Sequence, residues 1–188
     1  MYSDSSLLFS RPKWLAQSMA DIARHEGFRE FAYPDPLSKL ARVRAKWGYE
    51  PAEAIIGRLG LNPADGTPWT VGYGFTRGVT YSHRVSKEAA NKILEKEILA
   101  HCTILDRLVP TWKGMPVYVQ TVLANLAFNL GSRLSEFKAT LTLFRAGKFA
   151  AAGDRLKGSL WYKQVGSRAH ELVERLKTGT IQPQHKVI

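Results

Sequence analysis

Two carboxylates near the start of the chain, Glu26 and Asp35, have the types and spacing needed to cleave a glycosidic bond. That chemistry requires one carboxyl group that holds a proton and a second that is ionised, in two different environments. Glu26 suits the acid, because an apolar helix face and the negative end of the helix dipole both disfavour its anion. Asp35 suits the base, because backbone donors in a loop stabilise a carboxylate. The spacing alone also permits a structural interpretation, with Glu26 paired to a neighbouring arginine and Asp35 in a turn.

The elements that must position these carboxylates follow from the apolar pattern. Three apolar residues step by four and three, and so share one helix face that leads to Glu26: Leu15, Met19 and Ile22. Gly27 is then expected to end this helix. Residues 31–36 are predicted to form a loop. Residues 69–75 are predicted to form a strand, with glycines where the backbone approaches another group closely.

Most of the remaining chain has a helical pattern. Helices are predicted over 37–47, 51–59, from a cap at Ser86 onward, and over 117–130, 135–146, 149–157 and 167–178. The stretch 117–130 is apolar nearly all round, which is typical of a buried central helix. The single cysteine, Cys102, falls on the apolar face of the helix that follows Ser86 and is expected to be core.

Composition narrows the functional classes. The chain of 188 residues has 27 Lys plus Arg and 16 Asp plus Glu, a formal net charge of +11, which predicts an anionic partner. One cysteine rules out an intramolecular disulfide and fits a reducing cytoplasm. The five histidines lack paired ligand spacing, so no metal is expected, and no phosphate-binding loop or serine nucleophile motif occurs. No cofactor and no transmembrane segment are predicted.

The motifs around the two carboxylates resemble the N-terminal signature of the phage-type lysozymes, glycoside hydrolase family 24, which include the T-even and lambdoid phage enzymes. The matching segments are His-Glu-Gly-Phe-Arg at 25–29, Ala-Tyr-Pro-Asp at 32–35 and Trp-Thr-Val-Gly-Tyr-Gly at 69–74. Later matches follow in family order at 125–131, 137–141, 161–162, 166–169 and 177–180. This resemblance implies an α+β, mostly helical, lysozyme-like fold of two lobes. The N-terminal lobe would contain a small sheet, and the C-terminal lobe would be helical.

By this resemblance, Glu26 is the general acid that protonates the leaving oxygen. Asp35 activates or orients the attacking water and stabilises positive charge on the sugar, and Thr70 positions that water. A wide carboxylate separation with room for water predicts inversion at the anomeric carbon. Four further residues fall where the family lines or supports its sugar-binding cleft: Phe128, Thr140, Trp161 and Arg168.

One departure from the compact family members lies after Asp35. Thr70 follows Asp35 by 35 residues, which indicates an insert of roughly 30 residues within the range 37–68. The insert leaves Asp65 as a rival for the base, because Asp65 is only five residues before Thr70. Asp35 is preferred for its spacing to Glu26 and its Tyr-x-Asp context, and Asp65-Gly66 also suits a turn.

The predicted organisation is an N-terminal arm at 1–12, a catalytic lobe at 13–84 that includes the basic insert 37–68, a helical lobe at 85–180 and a tail at 181–188. The insert is either a solvated basic face or a surface that adds affinity for anionic envelope polymers.

The sequence therefore predicts an endolysin, a muramidase that hydrolyses the β-1,4 bond between N-acetylmuramic acid and N-acetylglucosamine of peptidoglycan. The alternatives are a lytic transglycosylase on the same bond, a virion-associated lysozyme, and a basic nucleic-acid-binding helical protein. The expected state is a monomer that binds peptidoglycan and not nucleic acid. It would stay in the host cytoplasm until a holin releases it to the periplasm and cell wall.

Overall fold

The computed structural model describes residues 11–180, which form eight α-helices and one two-stranded sheet. Most of the predicted arm 1–12 and the whole predicted tail 181–188 lie outside this range. The helices are α1 (Lys13–Glu26), α2 (Ala52–Leu59), α3 (Lys87–Leu108), α4 (Val117–Leu130), α5 (Lys138–Arg145), α6 (Phe149–Lys157), α7 (Leu160–Val165) and α8 (Ser167–Thr178). The strands are β1 (Arg29–Pro34) and β2 (Trp69–Gly72), which pair antiparallel. The α+β, mostly helical class predicted from the sequence is confirmed.

The chain divides into two compact units. The sheet unit is Asp21–Lys96 and contains β1, β2 and α2. The helical unit joins the described residues up to Ala20 with those from Glu97 onward. Both unit boundaries fall inside helices, one in α1 and the other in α3.

The helical unit is built around α4, as its apolar sequence predicts. Ten of the fourteen residues of α4 are buried, and α6 packs against α5 and α8. Glycine in the left-handed conformation ends α8 at Gly179, where the sequence predicts a stop. Ser86 also acts as predicted, since its hydroxyl accepts a hydrogen bond from the N–H of Ala89 at the start of α3.

The sheet unit has its own apolar cluster, and this cluster explains where the sequence prediction is wrong. Its buried members are Ala32, Leu40, Ala52, Ile56 and Trp69. Residues 37–47 form only one 3₁₀ turn, Leu40–Arg42, in place of the predicted helix. Beyond the turn the backbone is extended at Val43, which ends the helical conformation, and Val43 and Trp47 pack against the cluster.

Residues 31–36 were expected to be a loop, but β1 runs through Pro34 because its backbone pairs with β2. The predicted strand 69–75 in turn ends at Gly72. The backbone of Gly72 has a φ of 68°, and the chain reverses so that Val71 and Phe75 exchange two hydrogen bonds of 2.9 Å. The helix predicted at 135–146 begins only at Lys138, after a 3₁₀ segment.

Cys102 is buried on α3, as predicted. Burial raises the pKa of its thiol from 9.0 to about 12, Asp106 adds to the rise, and Lys113 opposes it. Between these two pH values the unfolded chain releases a proton that the native chain retains, so this group makes the free energy of unfolding fall as pH rises. Denaturant titrations of wild type and Cys102→Ala across this range should show a shallower fall in the variant. Equal slopes would contradict the shifted pKa.

Candidate active site

Glu26 is the last residue of α1, directly before the turn that leads into β1. Gly27 follows with a φ of 70°, as its predicted role at the helix end requires. A Cβ atom placed on Gly74 would lie 3.8 Å from Oε2 of Glu26, so this carboxyl group borders the turn after β2. The predicted desolvation of Glu26 is wrong, because its side chain is exposed although Leu15 and Ile22 on the same stripe are buried.

Tyr33 on β1 links Glu26 to the sheet. Its side chain is half-buried, and burial raises the pKa of the phenol. The positive charge of Arg29 opposes this rise and the negative charge of Glu26 adds to it. Arg29 and Glu26 therefore both act electrostatically on Tyr33. Tyr33 is not among the site residues predicted from the sequence, although it is the first residue of the Tyr-x-Asp motif.

Thr70 lies opposite Tyr33 in the sheet. The two residues are Cα partners, and Pro34 pairs with Trp69 next to them. Thr70 is buried, and side chains of antiparallel partners lie on the same face of a sheet. The register thus brings Thr70 to the strand that begins just after Glu26, although the two are 44 residues apart in the sequence.

Asp35 follows β1 directly and is held by its backbone and its side chain. Its N–H donates to the carbonyl oxygens of Gly66 and Pro68, both at 3.1 Å. Its Oδ1 accepts a hydrogen bond of 2.7 Å from the N–H of Leu37, which supplies the loop donor expected from the sequence. Tyr33 is the cross-strand partner of Thr70, and Asp35 lies two residues beyond Tyr33. Such diagonal neighbours in paired strands lie about 7–8 Å apart, so the fold brings Asp35 near Thr70.

Asp65, the rival base, lies in the 3₁₀ turn Pro63–Gly66, as its Asp-Gly sequence predicts. The side chain of Asn62 caps this turn by accepting from the N–H of Ala64. Oδ1 of Asp65 lies 3.1 Å from Nζ of Lys39, so its carboxylate is engaged in an ion pair. Both aspartates therefore adjoin the same turn, with different side-chain partners.

Gly66 is the residue that allows Asp35 to approach this turn. A Cβ atom at Gly66 would lie 2.6 Å from Cζ2 of Trp69 and 3.1 Å from Cβ of Pro34. Gly66→Ala is expected to destabilise the protein by about 1–3 kcal/mol and to lower activity by displacing Asp35. Gly57→Ala is the matched control, because a Cβ there meets nothing within 4 Å in α2 and should stabilise by about 0.5–1 kcal/mol. Thermal unfolding of both variants tests this, and equal melting temperatures would contradict it.

The four predicted substrate-binding residues all belong to the helical unit. Phe128 is half-buried and meets the ring of His101 edge-on, with centroids 5.3 Å apart. Trp161 is buried and its Nε1–H donates to Oδ1 of Asn129 at 2.8 Å. Thr140 and Arg168 are also buried. These contacts give Trp161 a structural role, whatever else it does.

A groove of about 640 Å³ in the helical unit brings together residues that sequence analysis did not select. Of the four predicted substrate-binding residues, only Thr140 is among the described residues that line it. The other polar lining residues are Glu136, Lys138, Asp154, Arg155 and Ser159. In the sequence these are ordinary surface residues, and they come together where α5 and the 3₁₀ segment before it lie beside α6 and the residues that follow α6. Each side of the groove carries both charge signs, which suits a polar ligand.

No group of three His, Cys, Asp or Glu residues within 11–180 is placed to hold a metal ion. None of the helices in that range is both long enough and apolar enough to span a membrane.

Comparison with known proteins identifies the family of the chain. The model of the family described as phage lysozyme matches residues 57–178, about two thirds of the chain. This range includes Thr70, Asp65 and the groove, and begins after Glu26 and Asp35. The chain is also 28% identical over 90 residues to the pre-baseplate central spike protein Gp5 of Enterobacteria phage T4. That alignment covers 47% of this chain and 15% of the T4 protein. The resemblance seen in the sequence motifs is thus confirmed, and the chain belongs to the phage lysozyme family.

Proposed function

We propose that the chain is a muramidase that hydrolyses the β-1,4 bond between N-acetylmuramic acid and N-acetylglucosamine of bacterial peptidoglycan. Family membership supports glycoside hydrolysis of peptidoglycan in general. The pairing of β1 with β2 carries the finer proposal, because it gathers Glu26, Asp35 and Thr70 in the sheet unit.

In the proposed reaction, Glu26 donates its proton to the glycosidic oxygen as the bond from that oxygen to the anomeric carbon breaks. Asp35 stabilises the positive charge that develops on the sugar and takes up a proton from the attacking water. The hydroxyl of Thr70 holds this water on the opposite face of the ring, so the configuration at the anomeric carbon inverts. The groove at Thr140 is proposed to bind part of the polymer.

Mass spectrometry of the fragments released from purified Gram-negative peptidoglycan tests this function. Fragments with a free reducing end are expected, because water adds across the broken bond. Anhydro fragments, lighter by one water, would instead identify a lytic transglycosylase. If no fragments appear, a nucleic-acid-binding protein becomes the better interpretation, and duplex DNA is the next ligand to test.

The water-positioning role of Thr70 gives a separate prediction. Thr70→Val removes the hydroxyl and keeps the shape, so kcat should fall about a hundredfold with little change in KM. Thr121→Val is a matched control, because Thr121 is also buried and its hydroxyl donates only within α4, to the carbonyl of Val117. A rise in KM at unchanged kcat would show that Thr70 binds substrate and does not position water.

We further propose that the biological role is host lysis, with the protein held in the host cytoplasm until a holin gives it access to the cell wall. The name of the T4 relative, a central spike protein, supports a virion-associated lysozyme as a second candidate. Immunoblots of purified phage particles distinguish the two roles. Absence from particles together with delayed lysis in a deletion strain is expected, and a fixed copy number per particle would favour the second candidate.

A further inference from the structure

The sheet unit carries a run of basic residues within 37–47. This run has four cations and no acidic residue: Lys39, Arg42, Arg44 and Lys46. All four side chains are exposed, while Val43 and Trp47 of the same run pack on the apolar cluster of the unit. The two apolar side chains thus hold this segment against the unit, and its four basic side chains point into solvent. We call these four residues the basic ridge.

Two of the four residues of the basic ridge form ion pairs within the described part of the chain, and the other two do not. Lys39 pairs with Asp65 at 3.1 Å, and Lys46 lies 3.7 Å from Glu50. Arg42 and Arg44 make no ion pair or hydrogen bond with any side chain of the described residues. Their guanidinium groups are therefore available to an external anion, and guanidinium matches phosphate oxygens in pairs.

Exposed apolar side chains flank the basic ridge. Leu37, which precedes it, is 94% exposed, the highest value among the large apolar residues of the described chain. Tyr49, which follows it, is 63% exposed, and Arg29 lies over its ring at 4.0 Å from the centroid. Cations beside exposed leucine and tyrosine are typical of surfaces that lie at a lipid interface.

We propose that the basic ridge, together with Leu37 and Tyr49, docks on the surface of a bilayer that contains anionic phospholipid. Arg42 and Arg44 contact lipid phosphates, and Leu37 enters the boundary between headgroups and acyl chains. Duplex nucleic acid would satisfy the arginines but would leave Leu37 in water, so the exposed leucine favours the bilayer. The surface lies entirely within the sheet unit and uses none of the proposed catalytic residues.

Co-sedimentation of the full chain with vesicles tests the proposal. Binding to phosphatidylcholine vesicles that contain phosphatidylglycerol is expected, with little binding to vesicles of phosphatidylcholine alone. Arg42→Gln with Arg44→Gln should weaken binding about 25-fold, because each basic residue at an anionic surface contributes roughly fivefold. Leu37→Ser should weaken the part of the binding that survives high salt.

Arg107→Gln with Arg133→Gln is the matched control, since it removes the same charge from exposed residues of the helical unit. An equal loss of binding in this control would overturn the proposal, because it would show that only net charge matters. Failure of the wild type to prefer anionic vesicles would also overturn the proposal. So would a result in which Arg42 and Arg44 contribute to the binding of duplex DNA but not to the binding of vesicles. Release of fragments from lipid-free peptidoglycan should be unchanged in the variant that combines Arg42→Gln with Arg44→Gln, so failure of the docking proposal is distinct from failure of the proposed catalytic function.

Discussion

Glu26→Gln is expected to lower kcat on purified peptidoglycan by about a thousandfold, because the amide cannot donate the proton that the leaving oxygen needs. The substitution keeps the size of the side chain at the end of α1. Because Glu26 is exposed, the free energy of unfolding should change by less than about 0.5 kcal/mol. Steady-state kinetics on solubilised peptidoglycan, with a denaturant titration of the same preparation, measures both quantities.

Glu53→Gln is the control for this experiment. Glu53 is an exposed carboxylate in the first turn of α2, in the same unit, and its loss changes the net charge by the same amount. Its variant should retain full activity. If Glu26→Gln kept appreciable activity while remaining folded, the general acid would have to be another residue, and the assignment of the whole site would fail.

The exposed position of Glu26 also bears on what completes the environment of its carboxyl group. Sequence reasoning relied on the apolar stripe of α1, but that stripe stops at Ile22, one helical turn before the carboxyl group. A polysaccharide chain lying over Glu26 would remove water that the protein itself does not exclude. In this interpretation substrate binding, and not folding alone, completes the environment that the acid needs.

Local signals predicted much of the fold because they act over a few residues. The apolar run 117–130, the hydroxyl cap at Ser86 and the glycine after α8 each determine an element without reference to distant parts of the chain. Residues 37–47 were different, because their conformation depends on burial against Trp69 and Ala52, which are remote in sequence. The strand β1 likewise depends on pairing with residues remote in sequence, those of β2 among them.

The candidate site also has residues that local motifs predict and residues that only remote contacts bring together. Glu26 and Asp35 stand out in the sequence because short motifs surround them, and the helix end and the loop donor at Leu37 lie where those motifs predict. The groove beside Thr140 could not be found this way, since its charged residues come from α5, α6 and the 3₁₀ segment before α5 and have no shared spacing. Tyr33 was visible in a motif, but its link to Glu26 is electrostatic and required the structure.

The two aspartates near the turn at Gly66 give the other large expected effect. Asp35→Asn should lower kcat about a hundredfold or more, because an amide can neither accept a proton from water nor stabilise positive charge on the sugar. Its side-chain oxygen can still accept the hydrogen bond from the N–H of Leu37, so the loop should keep its conformation. Circular dichroism and thermal unfolding would verify that.

Asp65→Asn is the decisive comparison, because the phage lysozyme match includes Asp65 and begins after Asp35. This substitution removes an exposed ion pair with Lys39, which contributes about 0–1 kcal/mol, and should leave kcat within about twofold of the wild type. The contacts favour Asp35. Its N–H donates to the carbonyl oxygens of Gly66 and Pro68, just before β2, and it lies diagonally across the strand pair from Thr70. The carboxylate of Asp65, in contrast, is paired with Lys39. If Asp65→Asn lost most of its kcat while Asp35→Asn remained active, the base would have to be assigned to Asp65. The insert would then lie before the catalytic aspartate, and the short spacing from Asp65 to Thr70 would match that of the compact lysozymes.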